Sequence, residues 1–267
     1  MAVAQQTDGK AAWLDLAALF HFIEIDGKIT EGNIANILEK LEISVDARDL
    51  KVKANWHMFK QFHVYNLNQP LFFIKELWQP ELFLEVLGTH MGIHFFDGDL
   101  CPKEYMFGIW KQEGKPSKPI IITTYVKGPA LKKNQFEPYL YELGRQYALH
   151  QVLSLYDVDW RHFIVQQGIL VRIDFGKSFL ELTKPYQGFW DMHFNVLKNS
   201  PAFRDGVDFE FSRIKNNLAS VKNHLAFLMQ KLEALGNYRN FFLDFEMDKF
   251  LVNLKNYWKN YLPFPIL

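Results

Sequence analysis

Asp157, Asp159 and Asp174 mark the part of this chain whose residue types and spacing could do chemistry. An acidic loop, Tyr156-Asp157-Val158-Asp159-Trp160-Arg161-His162, runs into a short apolar strand, a turn at Gly168 and a second apolar strand ending on Ile173-Asp174-Phe175-Gly176. Such a layout folds the chain back and brings a loop carboxylate beside the carboxylate at the end of the second strand. Two carboxylates placed in this way suit metal-assisted phosphoryl transfer. The competing reading is a β-hairpin with ordinary acidic residues, because Asp-Phe-Gly is a short motif that arises often by chance.

The elements that would position these groups follow from periodicity. Apolar side chains recur at helical spacing over residues 11–25 (Trp13, Leu14, Leu16, Ala17, Leu19, Phe20) and 33–43 (Ile34, Ile37, Leu38, Leu41), which predicts two N-terminal helices. The turn between them, Ile25 to Thr30, superficially resembles a calcium loop. With Gly27 in the sixth position, however, the twelfth falls on Asn33 and the essential carboxylate is missing, so a plain turn is expected. Short, partly alternating runs at Leu50–Lys53, Phe59–Tyr65 and Pro70–Leu77 predict three antiparallel strands. Pro80 opens a predicted helix to about His90, and strands follow near Tyr105–Lys111 and Pro119–Val126. Beyond Gly128-Pro129 the pattern predicts a helix over Glu137–Leu155, then the hairpin. Residues 208–235 carry the cleanest helical period, with Asp208 as a cap and Gly236 as a stop, and 239–261 form a second helix. An antiparallel helical hairpin is expected there, with a dimeric coiled coil as the alternative. The domain reading is a helical extension (1–45), a sheet-and-helix lobe (46–126) and a mainly helical lobe (127–267).

Several segments together carry a resemblance. Leu71-Phe72-Phe73-Ile74-Lys75 is similar to the Val-Ala-Ile-Lys strand of the protein kinase-like superfamily, and Glu81-Leu-Phe-Leu-Glu85 through Gly92-Ile93 resembles the glutamate helix of its compact bacterial and lipid-kinase branches. Pro119 to Leu131 resembles the strand and hinge that link the lobes. The loop from Asp157 to His162 followed by Ile173-Asp174-Phe175-Gly176 is similar to the catalytic loop of phosphatidylinositol 3- and 4-kinases. The resemblance spans roughly residues 50–180.

What it implies is an α+β, two-lobed kinase-like fold with extra N-terminal helices, acting as an atypical, ATP-dependent phosphotransferase. Lys75 would neutralise the nucleotide phosphates and Glu81 would orient it, with Glu85 in reserve. Backbone groups around Thr124, Tyr125 and Val126 would pair with adenine, Asp157 would be the base, and Asp174 would hold the metal. His162 stands where the family has a metal-binding asparagine; an imidazole there suits Mn2+ better than Mg2+. The phosphate-covering glycine loop is missing, since no glycine occurs between Gly32 and Gly88. Asn55 to Lys60 would replace it, with Lys60 or Lys53 touching phosphate. The acceptor is a protein hydroxyl or a phosphoinositide headgroup; a headgroup needs a basic region, and Lys177, Lys184, Lys198, Arg204, Arg213 and Lys215 cluster loosely after Asp174, although solvated surface side chains explain them equally well. An anionic activator or a membrane surface is a further expected partner. Two rival readings stand beside this one: a pseudokinase or anion-binding scaffold, and a helical interaction protein.

Composition narrows the classes further. The 30 basic and 30 acidic side chains cancel, which removes the broad positive field that nucleic-acid binding needs. A single cysteine, Cys101, excludes an internal disulfide and a cysteine-based zinc site. No apolar run approaches the ~20 residues of a membrane span, and the first residues lack the basic and apolar regions of a secretory signal. The expected location is the cytoplasm, or a host-cell cytosol reached by a signal-independent route, as the resemblance to compact bacterial effectors implies.

Overall fold

Ile23 and Ile25 are buried on one side of a strand, β1 (Ile23–Asp26), where the sequence pattern predicts the end of a helix. Their spacing is the two-residue period of a strand, and parallel pairing with β5 (Tyr105–Lys111) supplies the backbone hydrogen bonds. Tertiary pairing therefore outweighs the helical pattern. The structure is a computed structural model, and it describes residues 23–40, 42–56, 60–76, 84–85, 88–89, 91–92, 100–102, 105–116, 118–156, 158–179, 181–184, 188, 190, 196–217, 223 and 247–263. The earlier part of the first predicted helix lies outside them. The chain is mixed α and β and divides into two units, one within residues 1–78 and 103–125, the other within 79–102 and 126–267.

The first unit is built on a sheet. After the short helix α1 (Ala35–Lys40) come β2 (Leu50–Trp56), β3 (Lys60–Asn66) and β4 (Gln69–Glu76), each antiparallel to the next. β6 (Lys118–Thr124) then pairs with both β4 and β5, giving the order β1-β5-β6-β4-β3-β2 among the described residues. All the strands predicted between residues 50 and 126 form, close to their predicted bounds. Phe62, Val64, Phe72, Ile74, Ile120 and Ile122 face one side and meet Ile34 and Ile37 of the α1 region in a single core. Each such fully buried side chain contributes about 1.5–3 kcal/mol. The β1 turn is fixed by backbone and side chain: Gly27 N–H donates to the Lys111 carbonyl at 2.8 Å, and the Trp110 indole N–H to the Gly27 carbonyl at 2.7 Å. Asn33 closes the turn, donating to the Asp26 carbonyl at 3.2 Å and accepting from Thr30 N–H at 2.9 Å.

Among the described residues the second unit contains the helices α2 (Leu140–Leu153), α3 (Pro201–Asn216) and α4 (Met247–Tyr261), a helical segment that includes residues 84, 85, 88, 89, 91 and 92, and a hairpin of β7 (Phe163–Gln166) with β8 (Ile169–Arg172). The helix predicted from Asp208 begins earlier, at Pro201, because Ser200 caps it by accepting from Phe203 N–H at 3.4 Å and Pro201 has the fixed φ of a first helical residue. Most of the predicted hairpin between 218 and 246 lies outside the described residues.

α2 and α3 cross in backbone contact. A Cβ at Gly144 would overlap the Phe203 carbonyl oxygen, and one at Gly206 would overlap the Tyr141 carbonyl oxygen. Glycine is required there for closeness. Gly206→Ala is thus expected to destabilise by about 1–3 kcal/mol through overpacking, although alanine at an exposed helical glycine would stabilise by up to about 1 kcal/mol. Urea unfolding of the variant reads the sign directly. Beside the crossing, the Arg145 guanidinium donates to the fully buried Glu210 carboxylate at 2.6 Å, Glu142 lies 3.3 Å from Arg145, and Arg213 reaches Glu210 at 3.0 Å. Burial alone would lower the pKa of Arg145, but the bond and charge of Glu210 outweigh it and the net direction is upward. Burial pushes Glu142 up, with Arg145 offsetting part of that effect.

Candidate active site

In the second unit the loop and hairpin form as the sequence predicts. A 3-10 turn at Trp160–His162 leads into β7, and the ladder continues past the strands, with Ile173 N–H donating to the His162 carbonyl at 2.8 Å. Asp174 is thereby carried to the open end of the hairpin, beyond the last paired residues. Leu131 N–H donates to the Phe163 carbonyl at 2.7 Å and Val165 N–H to the Pro129 carbonyl at 2.9 Å, so the segment after Gly128 runs along β7. Gly128, at a φ of 150°, comes so close that a side chain would overlap the Val165 carbonyl.

Asp174 is exposed and has a φ of 69°, in the left-handed region that non-glycine residues enter at a cost. Its carboxylate holds the turn by accepting from Gly176 N–H at 3.1 Å. Phe175, the next residue, is buried. It packs under a helical segment containing residues 84, 85, 88, 89, 91 and 92, where a Cβ at Gly92 would stand 3.2 Å from the Phe175 ring and one at Gly88 would overlap the Ser178 side chain. Positions 85, 88 and 92 share one helical face, so the buried Glu85 lies on the face that seats this turn. The two glycines four apart are a flat-face signal that was visible in the sequence and carried no prediction. Glu81 and Asp157, the assigned lysine partner and base, lie outside the described residues.

Asp159 has a definite local task. It caps the 3-10 turn by accepting from Arg161 N–H at 2.8 Å, and the Arg161 side chain donates to the same carboxylate at 2.8 and 3.3 Å. The Arg161 guanidinium holds the Asp159 carboxyl below its usual range. Because the folded pKa lies below the unfolded value of about 3.9, the cap contributes fully above that value and is lost as pH falls through the folded pKa. As pH falls below about 4 the protection factor of the Arg161 amide, its exchange rate relative to the intrinsic rate at the same pH, is expected to drop while those of the β7–β8 amides hold. His162 is half-buried at the end of this turn. Arg172 is buried, with its guanidinium 5.8 Å from the centres of both the Phe163 and Phe175 rings. No motif in the sequence points to that arrangement.

In the first unit, strand alternation puts Lys75 on the sheet face opposite the core, in register with Gln61 and Ile121. The same face carries Phe73 against His63, with ring centres 6.3 Å apart, and Lys53 above the Tyr65 ring at 5.0 Å. Lys60 pairs with Trp56 at the hairpin end, and residues 57–59 of the proposed phosphate cover lie outside the described residues. Thr124 ends β6 and Tyr125 N–H donates to the Leu71 carbonyl at 2.9 Å; the boundary between the two units falls between Tyr125 and Val126.

Among the described residues no group of three or more His, Cys, Asp or Glu side chains is arranged to hold a metal ion, and no helix is long and apolar enough to cross a membrane. An exposed carboxylate such as Asp174 nevertheless suits a magnesium-type ion, which takes one or two carboxylates and draws its other ligands from phosphates and water. Cys101 is fully buried and burial pushes its thiol up, so it is an unreactive core residue. Compared with known proteins, the chain matches no family model and no curated sequence.

Proposed function

We propose that this protein is an atypical ATP-dependent phosphotransferase whose metal-holding carboxylate is Asp174. The observation that carries the reading is the Asp174-Phe175-Gly176 turn: an exposed carboxylate held in a left-handed conformation, anchored by the neighbouring ring of Phe175 in the core. Aspartate tolerates the left-handed conformation better than most residues, and residues held in sparsely populated backbone regions cluster at functional sites. The order of elements supports it as well: a lysine-bearing strand, a helix with a buried glutamate, a strand leading to Thr124-Tyr125-Val126, then helix, acidic loop and hairpin.

In this reading Lys75 neutralises phosphate charge, Glu81 or Glu85 orients Lys75, Asp157 accepts the proton of the acceptor hydroxyl, and Asp174 with His162 holds Mg2+ or Mn2+. The bound ion supplies charge neutralisation on the phosphates; the chain itself supplies position and a base. The acceptor is a protein hydroxyl or a phosphoinositide headgroup. Lys75→Met is expected to lower ATP turnover by at least about 100-fold, as loss of one electrostatic contact to a developing charge does, with thermal stability kept. A double-mutant cycle with Glu81→Ala, repeated with Glu85→Ala, identifies the partner as the glutamate whose effect is not additive. Unchanged turnover in Lys75→Met would sink the assignment.

The rival of nucleotide binding without turnover rests on two features of the chain: no glycine occurs between Gly32 and Gly88 to cover the phosphates, and His162 stands at the second metal position. ATP binding with no transfer in either Mg2+ or Mn2+ would decide for it.

A further inference from the structure

We propose that the C-terminal helix α4 is a clamp that sets the spacing between the loop beginning at Tyr156 and the turn beginning at Asp174, with Tyr257, Trp258 and Tyr261 as positioning residues. The proposal rests on the phosphotransferase reading for its consequence, though not for its geometry. The last carbonyls of a helix have no partner within it, and α2 ends just before the acidic loop. Two of those carbonyls are taken by α4: the Tyr257 hydroxyl donates to the Gln151 carbonyl at 2.9 Å and the Trp258 indole N–H to the Val152 carbonyl at 2.8 Å, both buried. The same helix grips the chain downstream of Asp174. Phe250 packs edge-on against Phe179 with ring centres 5.9 Å apart, and the Tyr261 hydroxyl donates to the Thr183 carbonyl at 2.8 Å.

Between these two grips the loop and the turn are tied to each other. Phe179 N–H donates to the Leu153 carbonyl at 2.8 Å, Tyr156 N–H to the Lys177 carbonyl at 3.0 Å, and the Ser154 hydroxyl to the Glu181 carbonyl at 2.5 Å. Ser154 and Phe179 are both left-handed, with φ of 45° and 56°, so neither end of this ladder is relaxed by itself. α4 holds it closed from outside. Asp157 follows Tyr156 directly and Asp174 precedes Lys177 by one turn, so a change in this ladder alters the separation of the two carboxylates assigned to base and metal. In-line transfer is sensitive to such displacements.

The test uses the full chain with Tyr261→Phe and, separately, Tyr257→Phe, each of which keeps the ring and removes the hydrogen bond that the hydroxyl donates. Loss of one such bond is expected to raise amide exchange at Tyr156 and Phe179 roughly five- to tenfold, while amides of α2 and α3 change by less than about twofold. Unchanged exchange at Tyr156 and Phe179 overturns the clamp, and so does an equal rise throughout α2 and α3, which would make α4 general scaffolding. In the transfer assay kcat is expected to fall severalfold with the KM for ATP within about twofold, because the nucleotide contacts are carried elsewhere. An unchanged kcat alongside the expected exchange overturns the positioning role. If wild-type protein transfers no phosphate, the proposed function fails, and the exchange measurement still decides whether α4 holds the loop.

Discussion

Asp174→Ala is expected to abolish ATP turnover and metal-dependent nucleotide binding while the fold remains. The carboxylate is exposed, and its bond to Gly176 N–H at 3.1 Å is local. Alanine removes both the charge and a side chain that tolerates the left-handed conformation, so a stability loss of about 1 kcal/mol accompanies it. Asp174→Asn separates the two effects. Asparagine keeps the turn and the left-handed backbone but lacks the charge that binds a hard cation, so it should match wild type in thermal unfolding and match alanine in turnover. Turnover above about one per cent of wild type in the asparagine variant would show that the metal is held elsewhere. Calorimetry with a non-hydrolysable ATP analogue, with and without Mg2+, then distinguishes lost binding from lost chemistry.

Glu210→Ala is expected to be the most damaging single change to stability outside the hydrophobic cores. It leaves two guanidinium groups, Arg145 and Arg213, without the carboxylate at 2.6 and 3.0 Å that compensates them in a buried site. Removing one partner of a buried ion pair costs about 3–5 kcal/mol. A quadruple variant, Glu142→Gln, Arg145→Met, Glu210→Leu and Arg213→Met, should recover much of that loss, because Glu142 also relies on Arg145 at 3.3 Å and the desolvation of all four charges disappears together with their attraction. Urea unfolding of the single and quadruple variants measures both. A loss below about 1 kcal/mol in Glu210→Ala would mean that water reaches the site and screens the pair.

Much of the hairpin and of the sheet was legible because strand periods and turns are local. The alternation in residues 69–76, the turn at Gly168 and the run Ile169–Arg172 need only neighbouring residues to be recognised, and the strands form there. The same holds for the α2 helix, predicted over Glu137–Leu155 and formed from Leu140 to Leu153. β1 was misread for the complementary reason. A four-residue segment at the end of an apolar helical pattern has too little local signal, and its parallel partner lies more than eighty positions away at Gly108.

The sequence by itself determined which side chains could do chemistry and on what kind of element each would stand: Lys75 within a strand, Asp159 in a loop, Asp174 at a strand end. Only the tertiary structure decided that Phe175 is buried beneath Gly88 and Gly92 while its neighbour Asp174 stays exposed, that Glu210 of α3 is paired with Arg145 of α2, and that α4 grips both ends of the loop-to-turn ladder. Backbone propensity and side-chain period act over a few residues, whereas burial, charge pairing and close approach arise between segments brought together by folding. No window along the chain contains both partners.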